Sequence, residues 1–156
     1  MDLWARALLG TVGLVLFAAL AVGDARALRR DAGMPVGWVL TATGATVVGG
    51  LVHLALTPEH WDQSVPYGLF FLAAGVGQLV LASVLTRPSA PTWVWTATVY
   101  ANVFLVGVYV AARIGPAREE VDAIGLITVG TELVAAAAGL LAGRRLAHPA
   151  PVREGR

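Results

Sequence analysis

Five apolar stretches alternate with short connections rich in proline, glycine or charge: Leu3–Val22, Val36–Thr57, Tyr67–Thr86, Trp93–Ile114 and Ala123–Gly143. A helix rising about 1.5 Å per residue needs about 20 mostly apolar residues to cross a hydrocarbon core of about 30 Å. Each stretch therefore predicts a transmembrane helix. Gly33 and Pro35 precede the second span, Pro58 and Pro66 bracket the second connection, Pro88 and Pro91 the third, and Gly115-Pro116 the fourth. Connections this short make neighbouring helices antiparallel. The expected fold is all-α: a polytopic membrane protein of about five transmembrane helices, with a core four-helix bundle from spans two to five and a peripheral first helix. Residues 1–146 form one transmembrane domain and 147–156 a short cytoplasmic tail.

Polar side chains in lipid turn toward other helices, so helical periodicity reports the inward faces. In the second span Thr46, Gly49, Gly50, His53 and Thr57 share a side; in the third, Phe71, Ala74, Gly75, Gln78 and Ala82. The fourth aligns Trp95, Thr98, Asn102, Tyr109 and Arg113, and the fifth Thr128, Glu132, Ala136, Gly139 and Gly143. Gly139-x-x-x-Gly143 has the spacing of a close-approach motif. The first span has no comparable face. Counted from the outer span ends, Thr46, Gln78 and Asn102 lie roughly 16 Å deep and Glu132 roughly 13 Å, one polar layer drawn from four helices; His53 lies above it, about 6 Å down. An ionised acid at mid-membrane costs about 2.5–3.5 kcal/mol on insertion scales. Glu132 is therefore expected to be neutral or firmly partnered, with Gln78 and Asn102 as candidate partners. It serves either as a proton-exchanging or ligand-binding acid, or as a hydrogen-bonding group between helices.

Composition narrows the classes. The chain is 57% hydrophobic and 13% charged, with a mean hydropathy of +0.72 and no cysteine. Thiol catalysis, disulfides, thiolate zinc sites and iron–sulfur clusters are excluded. A net charge of +1 gives no nucleic-acid footprint. The charges are sorted by side. Arg26, Arg29, Arg30, Arg87, Arg144, Arg145, Arg153 and Arg156 share one side with Asp24, Asp31 and Glu154, net +5. Arg6, Arg113 and Arg118 share the other with Asp2, Glu59, Asp62, Glu119, Glu120 and Asp122, net −3. Positive charge is retained in the cytoplasm, so the N-terminus is expected outside and the C-terminus inside. The alternative for Leu3–Val22 is a cleaved signal peptide ending near Ala21-Val22-Gly23; the basic run Arg26–Arg30 argues for retention. Trp4, Trp38, Trp61, Trp93 and Trp95 fall near span ends, as in an interfacial belt.

The segment from His53 to Asp62 brings His53, Glu59 and His60 to the outer end of the second span. Pro58 is expected to end that helix, leaving Glu59 and His60 to fold over the mouth. Two imidazoles with a carboxylate suit zinc, copper(II), iron or nickel, although the spacing fixes no geometry. The other reading is a pH-responsive cap. Arg113 ends the fourth helix beside Tyr109, either pairing with the acidic connection or holding an anionic group over the polar layer.

The succession His53, Pro58-Glu59-His60, Gly68-Leu-Phe70-Phe71, Gln78, Asn102, Arg113-Ile-Gly115-Pro116 and Glu132 resembles a group of uncharacterised small polytopic membrane proteins of high-GC bacteria. The likeness spans the second to fifth helices, and arginine-only basic usage fits such a genome. It implies a bacterial inner (plasma) membrane setting without naming a reaction. One departure is Thr128, where the group carries an acid. The function expected first is a small binding or transport module. Its outward mouth (His53, Glu59, His60, Arg113, Tyr109) opens above the layer of Thr46, Gln78, Asn102 and Glu132, and its ligand is a metal ion, a proton or a small polar molecule. The alternatives are an accessory or assembly subunit of a larger membrane complex and, third, an intramembrane enzyme. The expected partners are the lipid bilayer and either further copies of the chain or that larger complex.

Overall fold

The structure, a computed structural model, describes residues 36–87, 89–115 and 120–147. The expected first span, Leu3–Val22, and the tail beyond Ala147 lie outside the described residues. These residues form four helices: α1 (Val36–Gln63), α2 (Val65–Leu85), α3 (Thr92–Ile114) and α4 (Ala123–Ala147), with no strand among them. All four are long and apolar enough to cross a membrane.

The solvation pattern is that of a lipid-embedded bundle. Outward positions carry Val76 and Val80 on α2, Val103 and Phe104 on α3, and Ile127 and Leu133 on α4. The buried set includes Thr43, Thr46, His53, Gln78, Thr98, Asn102, Thr128 and Glu132. Polar groups turn inward because hydrocarbon offers them no hydrogen bonds. The inward faces expected from periodicity are the buried ones.

The helix α1 packs along α2 and α4, and α3 packs on α4, while α2 and α3 touch only lightly. Glycine sets the closest crossing. A Cβ on Gly75 would stand 2.9 Å from the carbonyl oxygen of Gly50 and 2.7 Å from Leu54 Cγ, and one on Gly50 would stand 3.0 Å from the Gly75 carbonyl. Only hydrogen fits there. At Gly139-x-x-x-Gly143 the approach is looser, the nearest atoms being Val99 Cγ2 at 3.5 Å and Trp95 Cβ at 3.3 Å.

One end of the bundle is plugged. Val39, Ala42, Leu85, Val94, Trp95, Ala138 and Ala142 form a continuous apolar core there. Trp95 is only 1% exposed and so belongs to this plug rather than to an interfacial belt. Trp38, Trp61 and Trp93 are exposed as the belt expectation required.

The boundary of α1 corrects a second expectation. The helix does not stop before Pro58; it runs through it to Gln63. An interior proline costs about 3 kcal/mol or more, and packing beyond it offsets that cost. Trp61 packs against Gly68, where a Cβ would overlap it, and His60 stacks on Phe71 at 3.7 Å and 20°. Ser64 alone then turns the chain. Its hydroxyl accepts from the Tyr67 N–H at 3.3 Å, and Pro66 occupies the first turn of α2, where its missing N–H costs nothing.

Candidate functional site

Opposite the plug, the four helices enclose a cavity of about 700 Å³. Its rim carries Glu59, His60 and Gln63 from α1, Tyr67 from α2, Arg113 from α3, and Glu120 and Asp122 before α4. Its floor includes His53, Phe71, Leu105, Thr128 and Glu132.

Extension of α1 resets the depths. His53 lies ten residues inside Gln63, about 15 Å, and Glu132 lies nine residues inside Ala123, about 13 Å. They are level, and the structure makes them neighbours: His53 Nε2 stands 3.7 Å from Glu132 Oε1. That is ion-pair range but beyond a hydrogen bond. Gln78 and Asn102 lie on a deeper level, about 20 and 18 Å from the same end. Thr46 lies deeper still and donates to the Ala42 carbonyl of its own helix at 2.8 Å. The single polar layer is thus two levels, with His53 beside Glu132 and the Gln78 side chain reaching His53 from the deeper one.

The lower layer is a structural tie. Gln78 Nε2 donates to Asn102 Oδ1 at 3.2 Å, and Asn102 Nδ2 donates to the Thr98 carbonyl at 2.8 Å. This amide bond bridges α2 and α3, the two helices that otherwise barely touch. Gln78 also rests against Gly49, where a Cβ would come within 2.9 Å of its Nε2.

The upper layer is chemically open. His53 Nδ1 lies 2.9 Å from the Gly49 carbonyl oxygen, which can only accept, so Nδ1 carries a proton. In the neutral ring Nε2 then bears a lone pair, directed toward Glu132. Glu132 is 2% exposed, and its Oε1 has no hydrogen-bond partner among the described residues. One proton, on either His53 Nε2 or Glu132, makes this pair electrically neutral. Neutral imidazole with carboxylic acid, or imidazolium with carboxylate, gives the same net charge of zero.

The rim is held by packing and charge. The Arg113 guanidinium lies 3.7 Å above the Tyr109 ring, and its Nη2 donates to Asp122 Oδ2 at 3.1 Å. Asp122 Oδ1 accepts the Gly125 N–H at 2.7 Å at the start of α4. That N–H, followed by the charge of Arg113, holds the Asp122 carboxyl below its ordinary value. Arg113 pairing with the acidic connection is therefore observed. His60 does not fold over as a free cap; its Nδ1 donates to the Leu56 carbonyl at 3.0 Å and its ring covers Phe71. Among the described residues no three His, Asp or Glu side chains gather as a metal-ligand set, so His53, Glu59 and His60 are not brought together as one. Thr128 donates to the Ile124 carbonyl at 2.8 Å and lines the floor.

Sequence reasoning missed the His53–Glu132 pair because depth was counted from Thr57, six residues short of the true outer end of α1 at Gln63. The signal was present in the seven-residue spacing of His53 and His60, one face of a continuous helix. Comparison with protein families, curated proteins and solved structures found no match.

Proposed function

We propose that this chain is a small binding or transport module of a bacterial inner membrane, in which a solute enters the cavity and exchanges with the proton shared by His53 and Glu132. Its support is one observation: a cavity of about 700 Å³ ends on two buried side chains 3.7 Å apart, His53 and Glu132, of which Glu132 Oε1 has no hydrogen bond among the described residues. Cavities of about 300–1,000 Å³ with apolar walls and a few convergent polar groups are the usual form of a ligand site. Intramembrane acids mark ion and proton pathways by default. The arginine distribution directs the cavity mouth away from the cytoplasm, and Leu3–Val22 supplies the fifth span at the bundle periphery.

The chemistry follows from charge balance. With one proton the pair is neutral and tolerable in a low-dielectric interior. Losing it without replacement leaves an uncompensated buried carboxylate. A positively charged solute arriving as the proton leaves keeps the net charge of the site constant. Phe71 and Leu105 line the cavity beside the pair, while the apolar core around Trp95 fills the other end of the bundle.

Because the chain has no cysteine, one introduced thiol reports access to the cavity. In folded protein in nanodiscs, Thr128→Cys should react with a water-soluble cationic methanethiosulfonate reagent, whereas Ala138→Cys in the plug should not. Equal protection of both positions would mean a sealed cavity and would end this proposal.

A further inference from the structure

We infer that the cavity takes a small primary organic ammonium ion, its N–H donors on Glu132 and its apolar body against Phe71 and Leu105; this rests on the cavity being a solute site. The floor selects the charge. Glu132 Oε1 is buried with no hydrogen bond among the described residues, and the neighbouring His53 Nε2, with Nδ1 committed to the Gly49 carbonyl, offers only a lone pair once the proton of the pair leaves. Both are acceptors. An ammonium brings three donors and one positive charge; a carboxylate or phosphate ligand would bring more acceptors and a charge of the wrong sign.

The rim agrees in sign. Glu59 and Glu120 line the opening, and Arg113, the one guanidinium lining it among the described residues, is bonded to Asp122. Carboxylates around a low-dielectric opening concentrate cations. The walls select the body. Phe70, Phe71, Leu56, Leu105 and Val108 make most of the lining apolar, and the space far exceeds a single ion. An inorganic divalent ion would find two ligands on the floor and hydrocarbon elsewhere, since no three suitable side chains converge among the described residues. The floor lies about 13–15 Å below the helix ends, deeper than the headgroup zone of about 5–8 Å on each side of a bilayer. The ammonium is accordingly that of a free amine rather than of a lipid headgroup.

Binding balances as an exchange. R–NH3+ enters, the proton held between His53 and Glu132 leaves to water in the cavity, and Glu132 remains as the carboxylate paired with the ammonium. No covalent bond to the ligand forms.

The test uses benzylammonium as probe, with benzyl alcohol as its uncharged counterpart and benzoate as the anion. Each is added during modification of Thr128→Cys, and of Leu105→Cys on the opposite wall should the first fold poorly. Benzylammonium in about tenfold excess over its Kd should slow modification roughly tenfold. Benzyl alcohol and benzoate should not slow it, and Glu132→Gln should remove the protection. Equal protection by benzyl alcohol, unchanged protection in Glu132→Gln, or stronger protection by zinc ion alone would overturn the assignment. A reactive thiol that no probe protects would also overturn it while leaving the open cavity standing. Thiols unreactive at both positions would remove the cavity reading as well. The probe comparison on Thr128→Cys keeps the test decisive even if Glu132→Gln does not fold.

Discussion

Gly75→Ala should be a strongly damaging single-methyl change at the α1–α2 crossing. The added Cβ would stand 2.7 and 2.8 Å from Leu54 Cγ and Cδ2, and 2.9 Å from the Gly50 carbonyl oxygen. The leucine can rotate, but the backbone oxygen cannot move without the helix, so α1 and α2 must separate by a substantial fraction of an ångström along their main interface. Overpacking of this kind costs about 1–3 kcal/mol. Gly77→Ala, two residues on, supplies the control: nothing lies within 4 Å of its Cβ, so it keeps only the helix-propensity gain of up to about 1 kcal/mol. The propensity gain is common to both variants and cancels, so they should differ by the overpacking cost of about 1–3 kcal/mol. At about 2–4 °C per kcal/mol for a chain of this size, that is roughly 2–12 °C in the thermal unfolding midpoint. Unfolding followed by circular dichroism in one detergent measures it. Equal midpoints for Gly75→Ala and Gly77→Ala would refute the glycine-mediated crossing and with it the placement of Gln78 against Gly49.

The other predictions concern the two polar layers and the rim. Asn102→Leu should destabilise the bundle by about 1–2 kcal/mol by leaving the Gln78 amide unpaired. Adding Gln78→Leu should recover part of that loss, because two apolar partners leave no orphaned group; thermal unfolding of the single and double variants checks this. The half-exposed Asp122 has its carboxyl held below the ordinary value of 3.8 by the Gly125 N–H and Arg113. Its stabilisation is therefore complete above pH 3.8 and lost as pH falls through the lowered value. The midpoint difference between wild type and Asp122→Asn should accordingly persist at pH 5 and shrink toward pH 3. Benzylammonium binding should release about one proton, so its affinity should rise by up to about tenfold per pH unit while the pair is protonated. The titratable groups sharing the cavity are His53, Glu59 and His60 on α1, Tyr67 on α2, Tyr109 and Arg113 on α3, Glu120 and Asp122 before α4, and Glu132 on α4. Buffer-dependent calorimetry measures the release, and Glu132→Gln should abolish it.

Much of this architecture is legible in the chain because lipid enforces it. Apolar runs of 20 residues announce α1 to α4, and the inward positions of Thr46, His53, Gln78, Asn102 and Glu132 follow from a period of 3.6. Depth was harder, because it depends on where a helix ends. Pro58 is locally a terminator, yet the contacts of Trp61 with Gly68 and of His60 with Phe71 carry the helix past it. Those contacts are tertiary and leave no local mark. Six further residues of α1 moved His53 to the level of Glu132 and took Thr46 out of the layer. Likewise Trp95 sits near a span end in sequence but points into the plug, since a helix end fixes depth and says nothing about direction. The Arg113–Asp122 pair was anticipated because a cation at a helix C-terminus facing an acidic connection has few other partners.

The central claim is that His53 and Glu132 share one proton at the floor of the cavity. Nitrogen-15 magnetic resonance of histidine-labelled protein, with His60→Gln and His148→Gln to isolate His53, tests it most directly. The account predicts a proton on Nδ1 and an Nε2 signal that shifts on Glu132→Gln, because the facing group changes from an exchangeable acid to an amide. A ring protonated on Nε2 alone, with a signal indifferent to Glu132→Gln, would contradict it.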